Sequence, residues 1–166
     1  RFLCSEVSAE KKAAHRTSSN GAPAVNPTFG SVTSLLLDEL GPRLAGWKIE
    51  VLGTDISAEI LEKARAGIYS QFEIQRGLPI QMLLKHFQQV GDKWQVSQRI
   101  RSMVTFKQHN LLERNDQFGR FDVIFCRNVL IYFDVPTKGR VLNGIAQLLA
   151  PDGALYLGAA ETAMGV

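Results

Sequence analysis

Three polar groupings in this 166-residue chain stand where predicted strands stop, and their side chains suit a pocket for a polar ligand. Asp55 closes the run WKIEVLGTD, Asn110 follows FKQH, and Arg127-Asn128 ends FDVIFCR. An ionised carboxylate at a strand tip can accept hydrogen bonds from two vicinal ribose hydroxyls, as in nucleoside-binding sheets. The plainer reading is a cap, since Thr54-Asp55-Ile56-Ser57 also suits a turn into a helix. Arg127-Asn128 is the more pointed signal, because two polar side chains leaving a buried strand are costly without partners. A surface ion pair of Arg127 with Asp122 or Asp134 is the competing reading. Tyr132, five residues on, can offer its ring or hydroxyl to the same crevice, or pack with its tip wet. His15, His86 and His109 show no metal-ligand spacing and read as structural or solvated. Cys4 and Cys126 are too far apart for a metal pair, so no metal site is expected.

The elements that must position these residues follow from periodicity. Residues 1–34 are rich in small and polar types from Ala13 to Ser34 and predict an irregular or disordered segment. Leu35, Leu36, Leu37 and Leu40 predict a helix tail closed by Gly41-Pro42. Trp47 to Asp55 reads as a strand. Ser57 then caps a helix with Ile60, Leu61 and Ala64 inward and Gly67 as its stop. A second amphipathic helix is expected through Ile80, Leu83, Leu84 and Phe87. Alternation from Trp94 to Val104 predicts a short antiparallel insertion at about 93–105, leading into a further strand that ends near His109. Phe121 to Arg127 has the near-continuous apolar character of a central parallel strand. Pro136 suits the first turn of a helix striped by Val141, Leu142, Ile145, Leu148 and Leu149. Pro151-Asp152-Gly153 predicts a turn and Ala154 to Gly158 a last strand. Alternating strands and helices argue for a parallel α/β sheet with its ligand crevice at the strands' carboxyl ends.

Composition narrows the function classes. With 45% apolar and 21% charged residues the chain has a folding composition rather than a disordered or fibrous one. A net charge of +3 with scattered basic residues gives no focused patch for nucleic acid. No apolar stretch approaches the roughly 20 residues of a membrane helix, so no membrane insertion is expected. A buried thiol at Cys126 and few cysteines fit a reducing cytoplasm. A nicotinamide oxidoreductase would need G-x-G-x-x-G between a first strand and its helix, and no such run exists.

The stretches TDIS and EILEKARAGIY, FKQHNLLE, FDVIFCRNVLIYFD and LLAPDGALYLGAAE closely resemble the CheR-type chemotaxis receptor methyltransferases, from about Leu35 to Val166. The resemblance implies a class I S-adenosylmethionine-dependent methyltransferase (Rossmann-like) sheet with a small inserted antiparallel β-subdomain, which docks on receptors. Residues 35–166 would be a partial methyltransferase domain, incomplete at both ends. It implies Asp55 as ribose ligand, Asn110 and Leu111 beside the adenine, Arg127 and Asn128 in the cofactor pocket, and Tyr132 near the transferred methyl. Arg127 and Tyr132 would be the catalytic pair. The implied enzyme is a protein-glutamate O-methyltransferase acting on the cytoplasmic domains of chemoreceptors, the methyl-accepting chemotaxis proteins. Its products would be γ-glutamyl methyl esters and S-adenosyl-L-homocysteine.

The family's opening small-residue turn, of the type A-x-C-S-T-G-x-E-x-Y-S, does not stand before Leu35, and Lys11 to Leu37 contains no acidic residue. The family's acidic contact to the cofactor's amino group is therefore expected to be missing. This favours an alternative, a catalytically impaired fragment or a non-catalytic receptor-binding module on the same scaffold. A sheet lacking its first strand and final hairpin would leave unpaired edges, and self-association is the expected consequence.

Overall fold

A computed structural model describes residues 2–6, 29–74, 78–113, 117–158 and 161. A five-stranded sheet of order β6-β2-β1-β7-β8 is built from Val104–Gln108 (β6), Val51–Asp55 (β2), Phe2–Glu6 (β1), Phe121–Arg127 (β7) and Leu149–Leu157 (β8), every pair parallel. Ile68–Ser70 (β3), Phe87–Val90 (β4) and Lys93–Val96 (β5) form a separate antiparallel sheet of order β3-β5-β4.

Two expectations are corrected by this topology. The opening strand, expected to be missing from an irregular segment at 1–34, is the central strand of the main sheet. Phe2–Glu6 pairs with β2 on one side and β7 on the other, and helix α1 (Phe29–Glu39) begins before Leu35. Five residues suffice for a parallel strand paired on both sides, and the polar text after them hid so short a run. The unpaired first edge behind the self-association argument is thus filled. The place of the family's glycine turn, within residues 7–28, lies outside the described residues, as does His15. The second correction concerns the insertion, whose strands fall between residues 68 and 96, while Val104 already belongs to the main sheet. A helical turn, α5 (Gln98–Arg101), interrupts what reads as continuous alternation.

The local reasons for the remaining elements are plain. Helix α2 (Ala58–Ala66) starts where the Ser57 hydroxyl accepts the Ile60 N–H and ends at Gly67, whose φ of 62° suits a residue without Cβ. Helix α3 (Gln71–Ile74) is a single turn, and helix α4 (Ile80–His86) does not carry the expected stripe. Leu83 and His86 are buried, Ile80 and Leu84 point outward, and Phe87 opens β4. Helix α6 (Val135–Leu148) has Pro136 in its first turn and the Asp134 carboxylate on the Thr137 N–H at 2.9 Å. The expected turn at Pro151-Asp152-Gly153 is an irregularity inside β8, where the register slips between Phe121 and Val123 of β7.

Strand β7 organises both faces. Ile124 and Cys126 join Val129, Leu130 and the α6 residues Val141, Ile145 and Leu148 in one apolar cluster. Phe125, on the other face, packs against the group formed by Leu37 of α1 and Val51. The result is a helix-sheet-helix sandwich, the layering that buries a parallel sheet on both sides. Helix α1 also sends Leu35 into the cluster under the small sheet, among Tyr69, Ile74, Leu83, Phe87, Val96 and Ile100.

Candidate functional site at the carboxyl ends of the main sheet

Parallel pairing brings the polar strand ends to one edge. Asp55 is level with Gln108 of β6, Ser5 of β1 with Thr54 and Cys126, and Glu6 with Arg127. Asp55 and Arg127 therefore face the same edge two strands apart, about 10 Å at ordinary strand spacing. That gap can be spanned by a nucleoside lying across the end of β1.

The Asp55 side chain is buried, and its Oδ1 accepts the Ser57 N–H at 2.7 Å. Its backbone carbonyl accepts the His109 N–H at 3.0 Å, which ties β2 to the turn after β6. A cap bond does not by itself exclude a ligand role, since a carboxylate offers about four acceptor positions. The Asn110 Oδ1 accepts the Leu112 N–H at 3.1 Å, and its carbonyl accepts that of Glu113 at 2.9 Å, so Asn110 shapes its own turn. Leu111 packs partly buried against the β7–α6 cluster. His109 is buried with its ring edge-on to Phe118, centroids 4.7 Å apart, as a structural histidine should be. His86 is likewise buried, between Asp38 and Glu39.

Beyond β7 the backbone turns sharply. Asn128 has φ 57°, the one non-glycine residue with positive φ among those described, and asparagine is among the few types that tolerate it. Residues Leu130–Tyr132 then form a single 3-10 turn, which carries Tyr132 half-buried at its end. Cys126, just before this bend, has no exposed surface; burial and the nearby Glu161 carboxylate push its thiol up to about 12.

Glu161 is the residue that reading the sequence missed. Its Oε1 accepts the N–H groups of Val129 and Leu130, both at 2.7 Å, and its Oε2 accepts those of Asn128 at 3.0 Å and Gly158 at 2.7 Å. Successive backbone N–H groups around a left-handed residue make such an anion nest. Asn128 between a buried strand and an apolar run is the one sequence feature that could have marked a bend there, and it was not read as one. Nothing local in the sequence tells which acid fills it.

A cavity of about 570 Å³ bounded by Ile49, Val51, Met103, Thr105 and Phe121 opens at the amino ends of β2, β6 and β7. It lies on the sheet edge opposite the polar cluster, away from the residues that can hold a ligand. Among the described residues no group of His, Cys, Asp and Glu could hold a metal ion, and no helix is long and apolar enough to cross a membrane.

A parallel sheet covered on both faces, with an acid at the tip of β2 and polar residues at the tip of β7, has the architecture of a class I S-adenosylmethionine-dependent methyltransferase, with a small antiparallel subdomain set into it. Residues 31–165 match the family model described as CheR methyltransferase, SAM binding domain, and the chain belongs to that family. It is 36% identical over 165 residues to chemotaxis protein methyltransferase 1 of Vibrio cholerae, covering 99% of this chain and 60% of that protein. Against chemotaxis protein methyltransferase 1 of Pseudomonas aeruginosa it is 40% identical over 134 residues, 77% of this chain and 48% of that one. The chemotaxis protein methyltransferase of Borreliella burgdorferi is 36% identical over 137 residues, 81% of this chain and 48% of that protein. The chain thus spans about half to three-fifths of these relatives' lengths. The Vibrio match extends over nearly the whole chain, beyond the Leu35 at which the recognisable text begins.

Proposed function

We propose that this chain is the S-adenosylmethionine-binding part of a protein-glutamate O-methyltransferase that esterifies glutamate side chains on the cytoplasmic helices of chemoreceptors. Its place of work is then the cytoplasm. The observation that carries this reading is the shared edge on which Asp55, Asn110, Arg127 and Asn128 stand, in a chain of this family.

When bound, S-adenosylmethionine supplies the methyl group on a sulfonium sulfur and leaves as S-adenosylhomocysteine. Asp55 would take the ribose hydroxyls, while Asn110 and Leu111 would flank the adenine. Arg127 offers a planar fork that pairs with a carboxylate through two parallel hydrogen bonds, a geometry lysine cannot copy. Tyr132 ends the turn that follows Arg127 and Asn128 and would lie beside the methyl. No general base is required of the chain, because a glutamate with pKa about 4.3 is already an anion at neutral pH. Cys126, buried and with its thiol pushed up to about 12, is no nucleophile. What the residues contribute is alignment of the incoming carboxylate and exclusion of water from it, effects worth several kcal/mol in well-oriented systems.

Calorimetric titration of the chain with S-adenosylhomocysteine tests this. The expected result is micromolar binding at one site, weakened at least tenfold by Asp55→Ala. A chain that folds and shows no binding would overturn the reading.

A further inference from the structure

We infer that Glu161 is a positioning residue for the pocket: its carboxylate holds the backbone of Asn128, Val129 and Leu130 in the bend that aims Arg127 and Tyr132. The inference rests on the functional reading above. Each carboxylate oxygen takes two backbone donors, Val129 and Leu130 on Oε1 and Asn128 and Gly158 on Oε2, at 2.7 to 3.0 Å. Four bonds fill the roughly four acceptor positions that a carboxylate has. Glu161 therefore has no capacity left for substrate or cofactor, and whatever it does for the reaction it does through the loop.

The clamp joins two strand ends. Gly158 follows β8 and Asn128 follows β7, and the Glu161 N–H also donates to the Gly158 carbonyl at 2.9 Å. Asn128 sits at φ 57°, a conformation that the surroundings must hold because few residues with a Cβ adopt it unaided. Without the acceptor, the three consecutive N–H groups of Asn128 and of the fully buried Val129 and Leu130 would lose their partner, and the bend would relax until those donors met other acceptors. Arg127 immediately precedes the bend and Tyr132 ends the turn that follows it. The bend fixes how the chain leaves β7 at Arg127 and where the turn that carries Tyr132 begins.

Two substitutions remove the clamp by different routes. Glu161→Gln keeps the shape but turns an N–H₂ group toward backbone donors, so two of the four bonds become donor against donor. Gly158→Ala keeps the acid but places a Cβ 2.5 Å from its Oε2 and 3.3 Å from its Cδ, so the carboxylate must leave its seat. Because the displaced atoms are the end of a flexible side chain, this variant keeps the fold even where the first does not.

The experiment combines hydrogen exchange at the amides of Val129 and Leu130 with calorimetric titration of S-adenosylhomocysteine into the chain and both variants. We expect exchange at these amides to accelerate at least tenfold and the dissociation constant to rise at least tenfold, with the fraction of binding-competent protein unchanged. The double variant should be no worse than the worse single one, since both break one clamp. A merely structural Glu161 would lower the competent fraction or the melting temperature and leave the dissociation constant of the folded molecules alone, which overturns the inference. Fast exchange with unaltered affinity overturns it as well, because the clamp would then exist without aiming the pocket. If the unsubstituted chain itself fails to bind, the functional reading falls and takes this one with it.

Discussion

Between β7 and α6, Ile124, Cys126, Val129, Leu130, Val141, Ile145 and Leu148 close on one another without an ionised side chain among them. Around Tyr69 an apolar cluster also forms, but its rim is ionic: Lys63 meets Glu73 at 2.6 Å, Arg99 meets Asp38 at 2.7 Å, and the buried His86 reaches Glu39 at 2.7 Å, with Lys85 on the same carboxylate oxygen. The contrast follows from geometry. A central parallel strand has two covered faces and can be apolar throughout, whereas three strands of three or four residues each bury one face and must be pinned at their ends. Hydrophobic burial is indifferent to pH and modest salt. The pins are not.

The largest effect should come from the dry side. Ile124→Ala removes a side chain with no exposed surface and should cost about 3 kcal/mol, lowering the melting temperature by roughly 6–12 °C at any pH near neutrality. A loss that appeared only at acid pH would break the contrast.

Next comes the ionic rim. Burial alone would raise the Glu73 carboxyl, but the Lys63 hydrogen bond, the Ser70 N–H and hydroxyl, and the Lys63 charge outweigh it and hold the group below its ordinary range. A carboxyl depressed in the folded state stabilises above its unfolded pKa of about 4.5 and loses that contribution as pH falls through the folded value. Acid should therefore loosen the small sheet before the large one. Trp94, in β5 with its indole N–H on Gln71, reports this by fluorescence, since Trp47 is already 74% exposed. Glu73→Gln should cost about 1–2 kcal/mol near neutrality and flatten the acid response of that signal. Acid unfolding that releases Trp94 and the main sheet together would erase the distinction.

The smallest effect is expected at the joint between the two regions. Ser57→Ala removes a long 3.4 Å cap bond to Ile60 and should cost about 0.5–1 kcal/mol in thermal unfolding. It should leave S-adenosylhomocysteine affinity within about twofold, because the backbone N–H that Asp55 holds remains.

Much of the site's scaffold was legible as text. Asp55, Ser57 and Gly67 announce strand tip, cap and stop in sequence order, and α2 runs between them as its residues predict. Pro136 and the stripe through Val141, Ile145 and Leu148 place α6 in the same way. These features depend on neighbours three or four positions away, which a sequence displays directly. The outer half of the predicted first strand was not legible: Trp47 and Ile49 alternate with charged Lys48 and Glu50 as in a strand with one face wet, yet pairing with β1 and β6 begins only at Val51. Strand length is set by partners, and propensity alone overshoots.

The sequence by itself determined the alternation of helix and strand, the apolar core of β7, the polar residues at the strand ends and, through its wording, the family. Only the tertiary structure decided that Phe2–Glu6 inserts at the centre of the sheet, that β3 joins β4 and β5, and that Glu161 is the acid seated against Asn128, Val129 and Leu130. The physical reason is the same in all three. Strand order and the choice of partner for a buried donor are contacts between residues dozens of positions apart, and their free energy comes from what the folded chain brings together.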